Sequence, residues 1–129
     1  MSEIDIKEVL TKISNQVDPI IERLLKNNIE GSSVEMALYQ CGVGGKRIRP
    51  ALLILTGQAF GAKIKDLLYP SASIEILHNL TLIIDDIIDH SEFRRDKPTV
   101  WKKYGKSIAM CDSLFYGAAV FEGLEKYPS

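Results

Sequence analysis

Several features that would assign this chain to other protein classes are scarce or missing. Its 129 residues include only two cysteines, Cys41 and Cys111, which lie far apart and show neither CxxC nor Cys/His spacing. Neither a disulfide nor a zinc site is indicated, and both thiols are predicted to be free and in the core. No segment alternates apolar and polar residues as a half-buried strand does, and no repeat is present. A helical architecture is therefore expected.

Long hydrophobic runs and an excess of one charge are also missing. Thr81, Asp85 and Asp86 interrupt the most apolar region, so no run is expected to reach membrane-spanning length. The first ten residues carry acids and a lysine where a secretory signal is apolar, which predicts a cytoplasmic protein. The net charge of −1 indicates no nucleic-acid partner. A single helical domain over residues 1–129, with a substantial core, is predicted.

Hydrophobic periodicity predicts an antiparallel helical bundle. Apolar residues recur at three-four spacing over residues 4–28, which predicts a long first helix that ends near Asn28 and that Pro19 kinks or interrupts. Further helices are predicted over residues 33–39, 50–60, 71–90 and 106–126. Breaks are predicted at 41–50, at 62–69 and at 91–98, with one turn over 99–104. The third helix is apolar nearly all round, which predicts its burial between other helices.

Three aspartates interrupt the apolar central helix near its C-terminal end. Asp85 and Asp89 lie one turn apart on one face, and Asp86 lies on its flank. Like charges at this spacing repel, and isoleucines flank them, so a cation is expected to compensate them. Carboxylate oxygens without a thiolate suit a hard ion such as Mg²⁺, which also takes water and phosphate oxygens. The alternative is a solvated acidic helix end.

Two groups of basic residues complete the candidate site. Lys46, Arg47 and Arg49 follow a glycine-rich break, and Arg94 and Arg95 follow the aspartates. The planar guanidinium group can bind phosphate through two parallel hydrogen bonds, so these cations are predicted to converge on phosphate that the metal holds from the other side. Taken alone, either group would be interpreted as a solvated surface patch.

His78 lies two turns before Asp85, on a polar stripe that includes Glu75 and Thr81. It is either a core histidine with satisfied hydrogen bonds or a residue that contacts a ligand. Glu75 and His78 also form the ExxH spacing of di-iron carboxylate bundles, but those sites need a second such pair and only one is present. A metal-carboxylate bundle is therefore a remote alternative.

These segments, taken together, resemble the trans-polyprenyl diphosphate synthase family. The matching segments, in the family's order, are GGKRIRP at 44–50, the histidine of EILHNLTLI, DDIID at 85–89, RRDKPT at 94–99 and, more weakly, YGKSIAMCDSL. The DDxxD pattern alone is not specific, but the order and spacing of the set are. The resemblance covers about residues 35 to 120. It implies an all-α bundle similar to the first half of the isoprenoid synthase fold.

The resemblance also implies a Mg²⁺-assisted condensation of an allylic diphosphate with isopentenyl diphosphate. Asp85, Asp86 and Asp89 match the family's first aspartate-rich motif, which binds Mg²⁺ bridged to the allylic diphosphate and promotes its departure. Arg94 matches a residue that also holds this leaving group. The positions that match the isopentenyl diphosphate site are Lys46, Arg49, His78 and Arg95.

One part of the family pattern is missing from the 129 residues, namely the second aspartate-rich motif. The resemblance implies two related helical halves that face one cavity, so a single half leaves the site one-sided. Two hypotheses explain how the second side could be supplied. In one, the chain forms a homodimer with two-fold symmetry, in which one DDIID faces another. In the other, it pairs with a complementary synthase half. A third possibility is a non-catalytic half that binds diphosphates or regulates a synthase.

Overall fold

The computed structural model describes residues 3–27 and 29–128 and confirms the all-α fold class. The helices are α1 (Ile6–Lys26), α2 (Ser33–Gly42), α3 (Ile48–Ala59), α4 (Ile64–Ile88), α5 (Val100–Tyr104) and α6 (Lys106–Glu125). Between α4 and α5, the strands β1 (Phe93–Arg94) and β2 (Lys97–Pro98) form an antiparallel hairpin. Strands of two residues are too short to produce an alternating pattern, so periodicity could not predict them.

The central helix of the bundle is α4, which packs against α1, α3 and α6. Its contact with α6 is close at Gly123, where a Cβ atom would stand 2.1 Å from Oγ of Ser73. The Ser73 hydroxyl donates a hydrogen bond of 3.1 Å to the carbonyl of Val120, so polar as well as apolar contacts join the two helices. Because the contact needs a residue without a side chain, the sequence fixes how closely α4 and α6 approach.

The first helix is continuous, so of the two effects predicted for Pro19, a kink or a break, the break does not occur. Oδ1 of Asp5 accepts hydrogen bonds from the backbone N–H groups of Lys7 and Glu8, so α1 begins at Ile6. Pro19 lies inside the helix, which continues through it. The missing proline N–H removes one bond of the ladder, but the buried face of α1 packs in the core and maintains the helix. The predicted end at Asn28 lies outside the described residues.

The second and third helices both extend further into the predicted glycine-rich break. α2 runs through Gly42, and α3 begins at Ile48, which leaves Pro50 in the first turn, where its missing N–H is tolerated. The predicted burial of α3 on all sides is wrong, because Leu52 is 61% exposed and Leu55 also faces solvent. Nothing else in the described chain covers this face of the helix.

The predicted linker over residues 62–69 is wrong, because α4 begins at Ile64 and Pro70 lies inside it. Leu67 is buried against α3, where a Cβ atom on Gly57 would stand 2.6 Å from Cδ1 of Leu67. This packing extends the helix two turns before the proline. At its other end α4 stops at Ile88, slightly earlier than predicted.

By length and composition, α4 is one helix in the described chain that could cross a membrane. Its apolar window has a mean hydropathy of 1.3 and is 44% buried inside the bundle. The expectation that no run reaches this length is therefore not met. Because α4 packs against three other helices, it has the environment of a core helix. The cytoplasmic location stays a prediction.

The two cysteines have different environments. Both are free, as predicted, but Cys41 is buried and Cys111 is exposed on α6. Burial raises the pKa of the Cys41 thiol to about 12, so this thiol is neutral at physiological pH. The prediction that both lie in the core is therefore wrong for Cys111.

Candidate functional site

The loop between α2 and α3 presents its basic residues on a backbone that needs glycine. Gly44 and Gly45 have φ angles of 99° and 154°, which residues with a Cβ atom rarely adopt. At Gly45 a Cβ atom would stand 3.0 Å from Nη1 of Arg47 and 3.6 Å from Nη1 of Arg95. The absence of a side chain at this position therefore allows two guanidinium groups to lie against the loop.

A cavity of about 560 Å³ opens beside this loop. It is lined by Gly45, Lys46, Arg47, Ile48, Arg49, Glu75, His78 and Arg95. Lys46, Arg49 and Arg95 are exposed, and His78 is half-buried. All four residues predicted to bind isopentenyl diphosphate therefore line one space, and its excess of positive charge suits an anion.

His78 lies on the α4 side of this basic cavity. Burial lowers the pKa of the imidazole below its ordinary value, and the positive charges of Arg49 and Arg95 lower it further. The negative charge of Glu75 raises this pKa, by less than burial or Arg49 lowers it. The imidazole is therefore neutral at pH 7 and can donate one hydrogen bond to an anion.

The β1–β2 hairpin brings Arg95 to the glycine-rich loop. Arg95 and Asp96 have φ angles of 50° and 61°, the left-handed geometry of a tight two-residue hairpin turn. The Arg95 guanidinium donates a hydrogen bond to the carbonyl of Gly44. The hairpin therefore forms one side of the cavity.

Arg47 differs from its basic neighbours because it is buried, with 7% exposure. Its guanidinium donates to Oδ1 of Asp18 at 2.7 Å, to Oε1 of Glu75 at 3.3 Å and to the carbonyl of Cys41 at 3.1 Å. The sequence placed Arg47 among the phosphate-binding cations and Glu75 on a polar stripe. Their pairing has no local signal in the sequence, because both carboxylate partners are more than 25 residues away.

The three predicted metal ligands at the other end of α4 occupy two environments. Asp85 and Asp89 are exposed, whereas Asp86 is 1% exposed. Both oxygens of Asp86 accept hydrogen bonds from Arg94, at 3.0 Å from Nε and 2.7 Å from Nη2. This bidentate pair raises the pKa of Arg94 above its ordinary value. Two carboxylates therefore face solvent one turn apart, and the third is already neutralised.

These carboxylates fit a Mg²⁺ ion that is coordinated partly by the protein and partly by the phosphate oxygens of a ligand. Mg²⁺ in proteins is held by one or two carboxylates, with water and phosphate oxygens in its other positions. Within residues 3–27 and 29–128, no group of three or more His, Cys, Asp or Glu side chains lies close enough to form a metal cage. Asp85 and Asp89 fit the first description, because they offer exposed oxygens and leave the remaining positions open.

A second, apolar cavity of about 650 Å³ lies between α4 and α6. Its lining residues are Ile84, Ile87, Ile88, Lys106, Ser107, Met110, Cys111, Ser113 and Leu114. The isoleucines come from the same two turns as the aspartates. Ile88 is 67% exposed, and Leu114 is also exposed. An uncovered apolar surface therefore begins directly beside Asp85 and Asp89.

Comparison with known proteins identifies the family. Residues 32–129 match the family described as Polyprenyl synthetase. The chain belongs to this family. The geranylgeranyl diphosphate synthase of Methanosarcina mazei is 38% identical over 115 residues, which cover 88% of this chain and 35% of the relative. Heptaprenyl diphosphate synthase component 2 of Bacillus subtilis is 32% identical over 113 residues, which cover 85% of this chain and 32% of that protein.

Solved structures of polyprenyl synthetases agree with the fold. The geranylgeranyl pyrophosphate synthetase from Geoglobus acetivorans matches with a TM-score of 0.86 at 30% identity, over 94% of this chain and 40% of that chain. The Thermotoga maritima geranyltranstransferase structure has a TM-score of 0.83 at 32% identity, over 92% of this chain and 45% of that one. The expected likeness to the isoprenoid synthase fold is confirmed. The chain spans less than half the length of the relatives it matches.

Proposed function

We propose that this chain provides one wall of a trans-prenyltransferase site, which condenses an allylic diphosphate with isopentenyl diphosphate. The observation that carries the proposal is the basic cavity, where Lys46, Arg49, His78 and Arg95 surround one space. The names of the matched relatives, which are prenyl diphosphate synthases, support the same reaction class.

In this proposal the basic cavity binds the diphosphate of isopentenyl diphosphate. Lys46 offers an ammonium group, and Arg49 and Arg95 offer guanidinium groups that can bind phosphate oxygens bidentately. The neutral imidazole of His78 donates a single hydrogen bond and so adds direction to the charge. The diphosphate is held at one end, which leaves the carbon chain free to extend along α4.

The allylic diphosphate belongs at the acidic end of α4. Asp85 and Asp89 would hold Mg²⁺, which when bound would neutralise diphosphate oxygens and make the diphosphate a better leaving group. Asp86 acts through Arg94: it orients the guanidinium by two hydrogen bonds and leaves its other N–H groups for the departing diphosphate.

The bond changes follow from these positions. The allylic C–O bond breaks, and its electron pair leaves with the diphosphate. The double bond of isopentenyl diphosphate supplies the electron pair of the new C–C bond, and loss of a proton restores a double bond in the longer product. Ile84 and Ile88 line the apolar cavity beside the aspartates, where they would exclude water from the electron-poor carbon once a second wall covers this exposed surface.

We further propose that a second copy of the chain covers the exposed apolar face and completes the site. Ile88 on α4 and Leu114 on α6 are exposed and line one apolar cavity, and large contiguous apolar patches mark interaction surfaces. A two-fold axis would place one set of aspartates opposite another with a single self-complementary contact. The name of the Bacillus subtilis relative, a synthase component, supports the requirement for more than one chain.

The test is an elongation assay with radiolabelled isopentenyl diphosphate, an allylic primer and Mg²⁺, on the purified chain and its Asp85→Ala variant. An active parent and an inactive variant would support the proposal. Equal background in both would contradict stand-alone catalysis. Light scattering on the same samples should show a dimer, and a stable monomer would contradict the second copy.

The second candidate function is a non-catalytic half that binds diphosphates or pairs with a complementary synthase chain. The name of the Bacillus subtilis relative, a synthase component, favours it. It predicts pyrophosphate binding without product from the chain alone, and product when a complementary half is added. The metal-carboxylate bundle is less well supported, because Glu75 is already paired with Arg47. Bound iron or manganese in metal analysis would revive that alternative.

A further inference from the structure

The burial of Arg47 separates it from the other cations of the glycine-rich loop. Lys46 and Arg49 are exposed at the cavity, whereas Arg47 lies beneath them with 7% exposure. A buried guanidinium is stable only where its donors and charge are matched. Each of its three nitrogens donates a hydrogen bond to a protein acceptor, which uses three of its five N–H groups.

The partners of Arg47 come from three different helices. Asp18 belongs to α1, Cys41 to α2 and Glu75 to α4, while Arg47 itself immediately precedes α3. Its carbonyl accepts the hydrogen bond from Ala51 N–H at 3.1 Å, which forms part of the first turn of α3. One side chain therefore ties the start of α3 to the rest of the bundle.

The backbone at Arg47 is also strained. Its φ of 52° lies in the left-handed region, which is unfavourable for a residue with a Cβ atom. Such a conformation persists where surrounding contacts impose it. The hydrogen bonds of Arg47 provide that constraint. They fix the turn from which Lys46 and Arg49 extend.

We propose that Arg47 is a positioning residue: with Asp18 and Glu75 it fixes the glycine-rich loop so that Lys46 and Arg49 converge on a bound diphosphate. The inference rests on the proposed function, because it assigns the cavity to a diphosphate. It assigns Arg47 no direct contact with that ligand. Asp18 makes the shorter contact with Arg47, at 2.7 Å against 3.3 Å for Glu75, but Asp18 is half-exposed and Glu75 is buried.

Glu75→Gln distinguishes positioning from direct binding, because the two roles predict opposite signs. If Arg47 were itself a ligand, removal of its buried counter-charge would free it and tighten the binding of inorganic pyrophosphate. If Arg47 positions the loop, the same change weakens binding. We expect Glu75→Gln and Arg47→Lys each to weaken pyrophosphate affinity about tenfold in calorimetry, because lysine cannot reproduce the guanidinium fork.

Asp18→Asn should have a smaller effect, because water can replace part of its contact with Arg47. The matched controls are Arg23→Lys, whose guanidinium contacts the Tyr69 hydroxyl, and Glu35→Gln on the exposed surface of α2. Both should leave the affinity unchanged. Tighter or unchanged binding in Glu75→Gln would overturn the proposal.

A second measurement needs no ligand and therefore separates this proposal from the proposed function. Trypsin cleaves after Lys46 only when the loop opens, so Glu75→Gln should accelerate that cleavage about tenfold relative to cleavage after Lys63 in the α3–α4 connection. An unchanged ratio would overturn the role of Arg47. A parent chain that binds no pyrophosphate would contradict the proposed function. If Glu75→Gln still raised the ratio of cleavage after Lys46 to cleavage after Lys63, the role of Arg47 in fixing the loop would stand.

Discussion

The surroundings of the two ends of the polar stripe on α4 differ in charge and in how far they are enclosed. At the basic end, four elements converge, and the cations of Lys46, Arg49 and Arg95 surround one cavity. At the acidic end, Asp85 and Asp89 face solvent without forming an enclosed site within the described chain. The basic end is therefore assembled and suits an anion, whereas the acidic end offers two exposed carboxylates and, in the proposed function, would be completed by a second wall.

This difference explains why the candidate anion site at the basic end can be described more completely than the candidate metal site at the acidic end. Anion binding at the basic end depends on residues that this chain holds in place. In the proposed function, metal binding at the acidic end would also need oxygens from a ligand and from a second wall. Variants at the two ends should therefore fail in different ways.

The largest effect is expected at the acidic end. Asp85→Ala should reduce Mg²⁺-dependent product formation by roughly 100-fold or more, because the metal loses one of two exposed carboxylates. It should leave the thermal unfolding midpoint nearly unchanged, since Asp85 is exposed. Product formation by the elongation assay and unfolding by circular dichroism provide the two measurements. A large loss of stability would show that Asp85 is structural.

Asp86→Asn, unlike Asp85→Ala, should lower the stability of the fold. It removes the charge of a buried residue whose bidentate contact orients Arg94, so we expect a loss of about 2 kcal/mol in the free energy of unfolding. Urea denaturation of Asp85→Asn and Asp86→Asn, compared as matched neighbours, measures the difference. Equal stability of the two variants would contradict the structural role of the Asp86–Arg94 pair.

Asp112 is a second buried carboxylate, and it can be compared with Asp86. It has no exposure, and neither of its oxygens has a hydrogen-bond partner among the described residues. Burial raises its pKa to about 7, far above the ordinary value of an aspartate. Asp86, by contrast, is equally buried but is paired with Arg94.

The pH dependence follows from the direction of this shift. Because the folded pKa of Asp112 exceeds the unfolded value, the stability linked to its proton is complete below about pH 4 and is lost as the pH rises through about 7. Asp112→Asn should remove this dependence, so its stability relative to the parent should be greater at pH 8 than at pH 5. Urea denaturation at the two pH values measures it. A constant difference would contradict the buried, protonated carboxyl.

At the basic end, Lys46→Gln and Arg49→Gln should each weaken pyrophosphate binding about tenfold, the effect expected for one charge-assisted contact. Lys102→Gln is the matched control, because Lys102 is exposed and pairs with Glu92 away from the cavity. Calorimetry at low ionic strength measures the affinities. Equal losses in all three variants would indicate general electrostatic attraction instead of a defined site.

The smallest effect is a change in titration at His78. Its pKa is lowered by burial and by the neighbouring arginines, so a bound diphosphate should raise it by offsetting their charge. NMR titration of the imidazole measures the shift, and His90, which stacks edge-on with Trp101, serves as the internal control. A pKa of His78 that stays the same or falls on pyrophosphate addition would place the anion elsewhere.

The sequence predicted the helices well where apolar residues recur at three-four spacing. It failed at residues 62–69, because Pro70 was interpreted as a helix start although tight packing of Leu67 on Gly57 extends the helix before it. It also failed on the burial of α3. An apolar composition does not reveal whether a covering surface is present in the same chain.

The sequence indicated which residue types form the candidate site, but it indicated their three-dimensional arrangement less well. The spacing of Asp85 and Asp89 on one helix face could be read directly, because helical geometry fixes it. The separate environments of Asp86 and Arg47 could not, because each depends on a tertiary ion pair. Composition treats Lys46, Arg47 and Arg49 alike, although only the packing of α1 and α4 decides which one is buried.

The most direct test of the account is an NMR titration that addresses the two ends separately. Pyrophosphate without Mg²⁺ should shift the resonances of Lys46, Arg49, His78 and Arg95 and leave those of Asp85 and Asp89 nearly unchanged. Addition of Mg²⁺ to the pyrophosphate complex should then shift the two aspartates. Pyrophosphate shifts scattered over Lys63, Lys102 and other exposed lysines, with none at His78, would contradict the account.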